Sequence, residues 1–259
     1  QEYFAVRAIC TGKYRLPRGS PPWRWGPFWA NVVKLGLENE SAFAKGLLCA
    51  AGVETDELNL SKQLGGNRST VLAVVCAFMG SLKVLDLSSN KLGPEGGVAV
   101  AEALKVDGLL TTILDLQSND IGNEGGKAVA EALSINGSLT ECNLKDNKLG
   151  DEGWCAIFDA LRENKDNKIA EWDLNGLDLN SLVAMSLATY VGVSCSLTSL
   201  NLLANNFNVE TAEMLLKVKE KKPSLTTLCG LQPNQTEANF AYWRLDSVDA
   251  KLLAAELVV

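Results

Sequence analysis

The stretch "LKVLDLSSNKLGPEGGVAVAEAL", residues 82–104, changes its periodicity halfway along. In the first half Leu85 and Leu87 alternate with Val84, Asp86 and Ser88, the period of two that a strand shows when it buries one side and exposes the other. In the second half Gly97, Val100, Ala101 and Leu104 follow i, i+3, i+4, i+7 spacing, which is one face of a helix. The residues between, rich in Ser, Asn and Gly, supply a turn. The segment therefore reads as strand, turn, helix.

The same reading recurs along the chain. "TTILDLQSNDIGNEGGKAVAEAL" (111–133) and "LTECNLKDNKLGDEGWCAIFDAL" (139–161) align with the first copy almost without gaps. Looser copies lie at 169–190 and 197–218, and an earlier one at 55–79. The second strand leucine falls at Leu60, Leu87, Leu116, Leu144, Leu174 and Leu202, in steps of 27, 29, 28, 30 and 28 residues. In "GKAVAEAL" the positions Gly126, Val129, Ala130 and Leu133 repeat the helical face, with small residues that let helix and strand approach closely. A single unit cannot bury enough apolar surface to offset the entropy of ordering it, so stability must come from stacking neighbours, and both ends need caps.

Six copies of this pattern resemble the leucine-rich repeat family, and within it the ribonuclease-inhibitor-like class found in intracellular immune-receptor C-termini. The likeness covers about residues 55–259. The closing sequence resembles those that end such arrays in proteins of unicellular algae and other protists, which implies no activity. The resemblance implies a right-handed α/β solenoid, a horseshoe or arc of about seven units, with a parallel sheet on the concave face and helices on the convex face.

The expected layout is an extended basic Trp/Pro-rich arm over 1–30, a helical cap over 31–54, repeats over 55–224, and a last repeat with the C-terminal cap over 225–259. In that last part "LTTLCGLQPNQ" is read as beginning a strand at Leu225–Leu228. Phe240 and Leu245 take strand and turn roles, and a final helix runs from about Ser247 to Leu257. Asn90, Asn119, Asn147 and Asn205 occupy one position just after the strand, where an inward amide satisfies backbone groups of adjoining turns. Leu177 takes that place in the unit with the longest step, so its loop is expected to be irregular and the arc to bend differently there.

Outward strand positions stack about 4.8 Å apart. The central column runs Asn59, Asp86, Asp115, Asn143, Asp173, Asn201, with Glu141 and Glu171 one column over. One reading is an acidic docking surface for a basic protein segment. The other is that Asp and Asn simply stay solvated there. The arm "RLPRGSPPWRWGPFWA" (15–30) has prolines at 17, 21, 22 and 27, which rule out a regular helix. Its Arg18, Trp23, Arg24, Trp25, Phe28 and Trp29 either cover the first edge of the array, anchor in a partner's groove, or make peripheral contact with a membrane.

Composition narrows the function. The net charge of −7 divides into +5 over residues 1–34 and −12 beyond, and an acidic body disfavours nucleic acid as the ligand. No apolar run approaches the roughly 20 residues of a membrane-spanning helix. With no histidine, every His-based triad and Cys/His metal pattern is missing. The glycine-rich "GPEGG" and "GNEGG" lack the Lys-Ser/Thr of a phosphate loop and are read as turn and packing residues. The seven cysteines stand singly, as in a reducing interior, with cytoplasm and organelle not distinguished. Asn-x-Ser/Thr triplets at Asn39, Asn59, Asn67, Asn136 and Asn234 are glycan acceptors only in a secreted chain. A start at Gln1 rather than Met reads as a processed form or a fragment.

The expectation is a non-enzymatic protein-interaction scaffold without cofactor or metal. The alternatives are a permanent accessory subunit of a large, possibly organellar, assembly, and a small-GTPase activator, the latter by analogy of fold alone.

Overall fold

A computed structural model of the 259-residue chain describes residues 57–59, 61–62, 83–105, 111–232 and 235–257. The proposed arm and N-terminal cap, with Arg18, Trp23, Arg24, Trp25, Phe28 and Trp29, lie outside the described residues. So does Leu60.

Strand and helix alternate: β1 Glu57–Asn59, β2 Val84–Asp86, α1 Gly93–Leu104, β3 Ile113–Asp115, α2 Gly122–Leu133, β4 Glu141–Asn143, α3 Gly150–Glu163, β5 Glu171–Asp173, α4 Ser181–Val193, β6 Ser199–Asn201, α5 Val209–Glu220 and α6 Ser247–Leu257. All strands of the two sheets pair in parallel, β1 to β4 in chain order in one sheet and β5 with β6 in the other. Each described helix packs on the next. The described residues form a stack of strand–helix units, as the repeat requires.

One layer of leucines lies between strands and helices. The middle residue of each strand from β2 on points inward, as Leu85, Leu114, Cys142, Trp172 and Leu200, and Leu87, Leu116, Leu144, Leu174 and Leu202 are also buried. The helical stripe Val100, Ala101, Leu104 meets them, as does Val129, Ala130, Leu133. The helices approach closely because glycine lines their contact. A Cβ on Gly97 would lie 3.0 Å from Gly125 Cα and 3.0 Å from Ile121 Cβ. Gly93, Gly122 and Gly150 enter the first three helices at positive φ (67°, 62° and 66°), where glycine carries no Cβ penalty. The N–H groups of Gly93 and Gly122 donate to the Asn119 and Asn147 carbonyls of the following unit. The next two helices start differently, with Asn180 and Asn208 as side-chain N-caps.

The asparagine column ties one turn to the next. Asn119 Nδ2 donates to Leu87 O and Leu116 O (both 2.9 Å), while its Oδ1 accepts from Asn90 N–H at 2.8 Å. Asn147 Nδ2 donates to Leu116 O (2.8 Å) and Leu144 O (3.0 Å), and its Oδ1 accepts from Asn119 N–H at 3.0 Å. Asn205 makes the same bonds to Leu174 O and Leu202 O.

With Leu177 in this position the link between the third and fourth turns is missing, and here the sheet divides. Leu116 N–H reaches Asn143 O and Leu174 N–H reaches Asn201 O, but no such bond joins Leu144 to the β5 turn. Ala170 N–H to Thr140 O, at 3.2 Å, holds the near end. Larger side chains fill the interior at this seam. Trp154 stacks on Phe158 (5.7 Å), Trp172 meets both edge-on (6.2 Å), and Phe158 stacks on Tyr190 (6.2 Å). Trp172 Nε1 is buried and makes no hydrogen bond among the described residues, although Tyr190 lies close enough to interact with it.

The C-terminal end departs from the expected strand pattern in two places. Leu225–Leu228 is not a strand: Thr227 makes an isolated parallel bridge to Ser199, and Cys229 just beyond makes an antiparallel one to Asn201. Phe240 is irregular chain, packed edge-on against Trp243 at 5.3 Å. Among the described residues no further strand follows, and carboxylates of α6 take backbone donors that a following unit would have accepted. Glu256 accepts from Leu228 N–H, from Thr227 Oγ1 at 2.7 Å and from Lys219 Nζ at 2.8 Å. Asp249 Oδ1 accepts from Ala204 N–H at 2.9 Å. These residues are seven apart, so one face of α6 carries both.

Candidate functional site on the strand face

The strand register places Asn59, Asp86, Asp115 and Asn143 side by side in the first sheet, and Asp173 beside Asn201 in the second. The column has a local structural duty. Asp86 Oδ1 accepts from Ser88 N–H at 2.9 Å and Asp115 Oδ1 from Gln117 N–H at 2.8 Å, each closing the turn two residues on. Asn143, Asp173 and Asn201 make the same bond to Lys145, Asn175 and Leu203 at 3.2, 3.5 and 3.4 Å. Lateral bonds join neighbours, from Asn143 Nδ2 to Asp115 Oδ2 at 3.3 Å and from Asn201 Nδ2 to Asp173 Oδ1 at 3.0 Å.

The column is not uniformly acidic. Lys145 Nζ lies 2.6 Å from Asp173 Oδ2 and also donates to Asn175 Oδ1. At this partly exposed site the pair contributes only about 0–1 kcal/mol of stability, but it cancels the charge of Asp173 toward a ligand. Sequence reasoning missed Lys145. It stands two residues after Asn143, where other units carry Ser88, Gln117, Asn175 and Leu203, and a lone cation in that column was its available signal.

The seam between β4 and β5 opens the strand face into a depression of about 530 Å³. Its walls include Glu141, Asn143, Glu171, Asp173 and Asn201 together with Lys145, so five of the seven proposed strand-face residues converge on one place. Asp86 and Asp115 lie outside it, on β2 and β3. Glu141 and Glu171 are exposed, and neither carboxylate has a hydrogen-bond or ion-pair partner among the described residues. They are what this surface offers to a cation.

Cys142 reaches the floor of the depression, but its thiol is pushed up to about 12 by burial, reinforced by the Asp115 and Glu141 carboxylates. It stays protonated near neutrality and is no nucleophile. Cys142, Cys155, Cys195 and Cys229 are all free thiols. Among the described residues no group of three or more Cys, Asp or Glu side chains is arranged to hold a metal ion, and no helix is long and apolar enough to cross a membrane.

Comparison with known proteins bears on the fold. The family model "Leucine Rich repeat" matches residues 81–101, 112–130 and 136–157, which are the three most regular copies. Among solved structures, "Leiomodin-1 Actin-Binding Site 2 (ABS2)" is similar over 71% of this chain and 92% of that chain, at 18% identity and a TM-score of 0.43. No curated protein matches. The units within residues 81–157 are leucine-rich repeats, and the array they belong to is an α/β leucine-rich repeat solenoid.

Proposed function

We propose that the chain is a non-catalytic interaction module whose strand face binds a basic, extended segment of a protein partner. The observation that carries this reading is the pair of exposed, unpartnered carboxylates, Glu141 and Glu171, on the wall of the β4–β5 depression. Asp86 and Asp115 extend the negative surface along the sheet. Rigid strands hold these side chains in place before binding, which lowers the ordering cost. Repeat solenoids commonly use such extended faces for binding. Steps of 27 to 30 residues with a full helix in most units support placing the chain in the ribonuclease-inhibitor-like class. In this reading Trp23, Trp25 and Trp29 of the arm bury in a second surface of the partner, and the compartment is intracellular.

The test is affinity capture from native extract at low and high salt, comparing the wild-type chain with Glu141→Lys/Glu171→Lys. The expected result is a set of salt-sensitive partners that the variant loses. Undiminished recovery by the variant would remove the strand face from the account. Deleting residues 1–30 separately tests the arm: a folded chain that loses partners supports tethering, and an unfolded one makes the segment part of the cap.

A further inference from the structure

The helix face carries an anomaly at α4. Over Ser181–Val193 this helix has no charged residue. Leu182, Met185 and Val193 are 59%, 59% and 57% exposed, and Val209 at the start of α5 is 50% exposed. The equivalent N-caps Asn180 and Asn208 align the two helices, so Leu182, Met185, Thr189 and Val193 correspond to Glu210, Glu213, Lys217 and Lys221. On α3 the residues level with Leu182 and Val193 are Glu152 and Glu163. An apolar stripe thus runs between two charged helices, the arrangement of an interface core with a polar rim.

We propose that this face pairs with a second copy of the chain about a two-fold axis, with α4 lying antiparallel on α4. The charge order on α5 favours this occupant. Along the row level with the stripe, Glu210 and Glu213 lie in its first half, Lys217 in its second and Lys221 at its C-cap. A two-fold axis crossing the helices at right angles lays α5 antiparallel on its copy, so Glu210 faces Lys221 and Glu213 faces Lys217 in both directions. The same operation sets Leu182 against Val193 and Met185 against Thr189. It also brings Glu152 near Glu163, but Lys127 already holds Glu152 at 2.5 Å and Arg162 holds Glu163 at 3.0 Å. Glu213 keeps a pairing with Lys251 at 2.5 Å in its own chain, whereas Glu210, Lys217 and Lys221 enter no ion pair among the described residues. Open depressions of about 450 and 550 Å³ beside α5, both reaching Val218 and Lys221, leave room for facing side chains.

The size of the patch sets the strength. Three helices about 20 Å long, spaced 8–10 Å apart, present roughly 600 Å² per copy. About 1,200 Å² in total is the lower end of specific interfaces, so the dimer is reversible, with a dissociation constant on the order of micromolar.

The test is sedimentation velocity of the full chain across a concentration series, with circular dichroism to check folding. Wild type is expected to shift from monomer to dimer. Met185→Lys, at an exposed position, is expected to remain a folded monomer. Glu210→Lys and Lys221→Glu each create two like-charge contacts by symmetry and are expected to weaken the dimer about tenfold or more. Mixed together, they restore opposite charges at both contacts and are expected to recover the wild-type affinity as a heterodimer. A wild-type monomer at about 200 μM, a dimer that survives Met185→Lys, or a mixture no tighter than its components would overturn the proposal.

Discussion

Replacing Asn147 by alanine removes one complete link between turns. The side chain is 2% exposed. Its Nδ2 donates to Leu116 O, Leu144 O and Lys145 O at 2.8, 3.0 and 3.1 Å, and its Oδ1 accepts from Asn119 N–H at 3.0 Å. Stranding a buried polar group costs about 1–3 kcal/mol. Leu144 O and Asn119 N–H are the two left unpaired, because Leu116 O still accepts from Asn119 Nδ2 and Lys145 O from Ser118 N–H; with some relaxation into the space vacated the expected loss is about 2–4 kcal/mol. Asn206→Ala, at an exposed position whose side chain makes no hydrogen bond among the described residues, is the control, with an expected loss below about 0.5 kcal/mol. Urea unfolding followed by circular dichroism measures both. Hydrogen exchange on Asn119 N–H, which loses its acceptor, locates the damage. A loss below about 1 kcal/mol for Asn147→Ala, with Asn119 N–H still protected, would refute the idea that the asparagine column fastens turn to turn.

Three further outcomes follow from the geometry. Gly97→Ala is expected to destabilise by about 1–3 kcal/mol because its Cβ meets Gly125 backbone at 3.0 Å, whereas Gly192→Ala, with nothing within 4 Å, is expected to be neutral or to gain up to about 1 kcal/mol; thermal melts compare them. Glu256→Ala leaves Leu228 N–H, Thr227 Oγ1 and Lys219 without their shared acceptor, and is expected to cost about 3 kcal/mol or more and to raise hydrogen exchange at Leu228 first. Burial raises the thiols of both Cys142 and Cys229, so site-resolved alkylation near pH 8 is expected to label the exposed Cys195 and spare these two. Because the folded values lie above the unfolded ones, their contribution to stability is complete below about pH 9. It is lost as pH rises toward 12, and denaturant titrations across that range are expected to show the decline.

The sequence pattern revealed the features that repeat. Alternation at Leu85 and Leu87, the helical stripe at Val100, Ala101 and Leu104, and the small residues at helix contacts recur at fixed intervals, so each copy reinforces the others. The final helix, read as Ser247 to Leu257, has those bounds. Features that occur once were harder to read. Leu177 signalled an irregular turn, but the division of the sheet also reflects Trp154, Phe158, Trp172 and Tyr190 meeting in space from three elements, which no periodicity displays. Leucines at 225 and 228 fit a strand pattern, yet only Thr227 and Cys229 bridge back to β6, the second of them antiparallel, and Glu256 takes the Leu228 N–H on the other side. In the strand-face column, alternation placed the acids in one row but did not reveal that each caps its own turn, nor that Lys145 holds Asp173.

The binding claim is tested most directly by the hydrogen-exchange footprint of a captured partner on the wild-type chain. The account predicts added protection at residues 141–145 and 171–175, around the seam depression, and that this protection fades as salt is raised. Protection confined to α1, α2 and α3, with the strand segments unchanged, would contradict it.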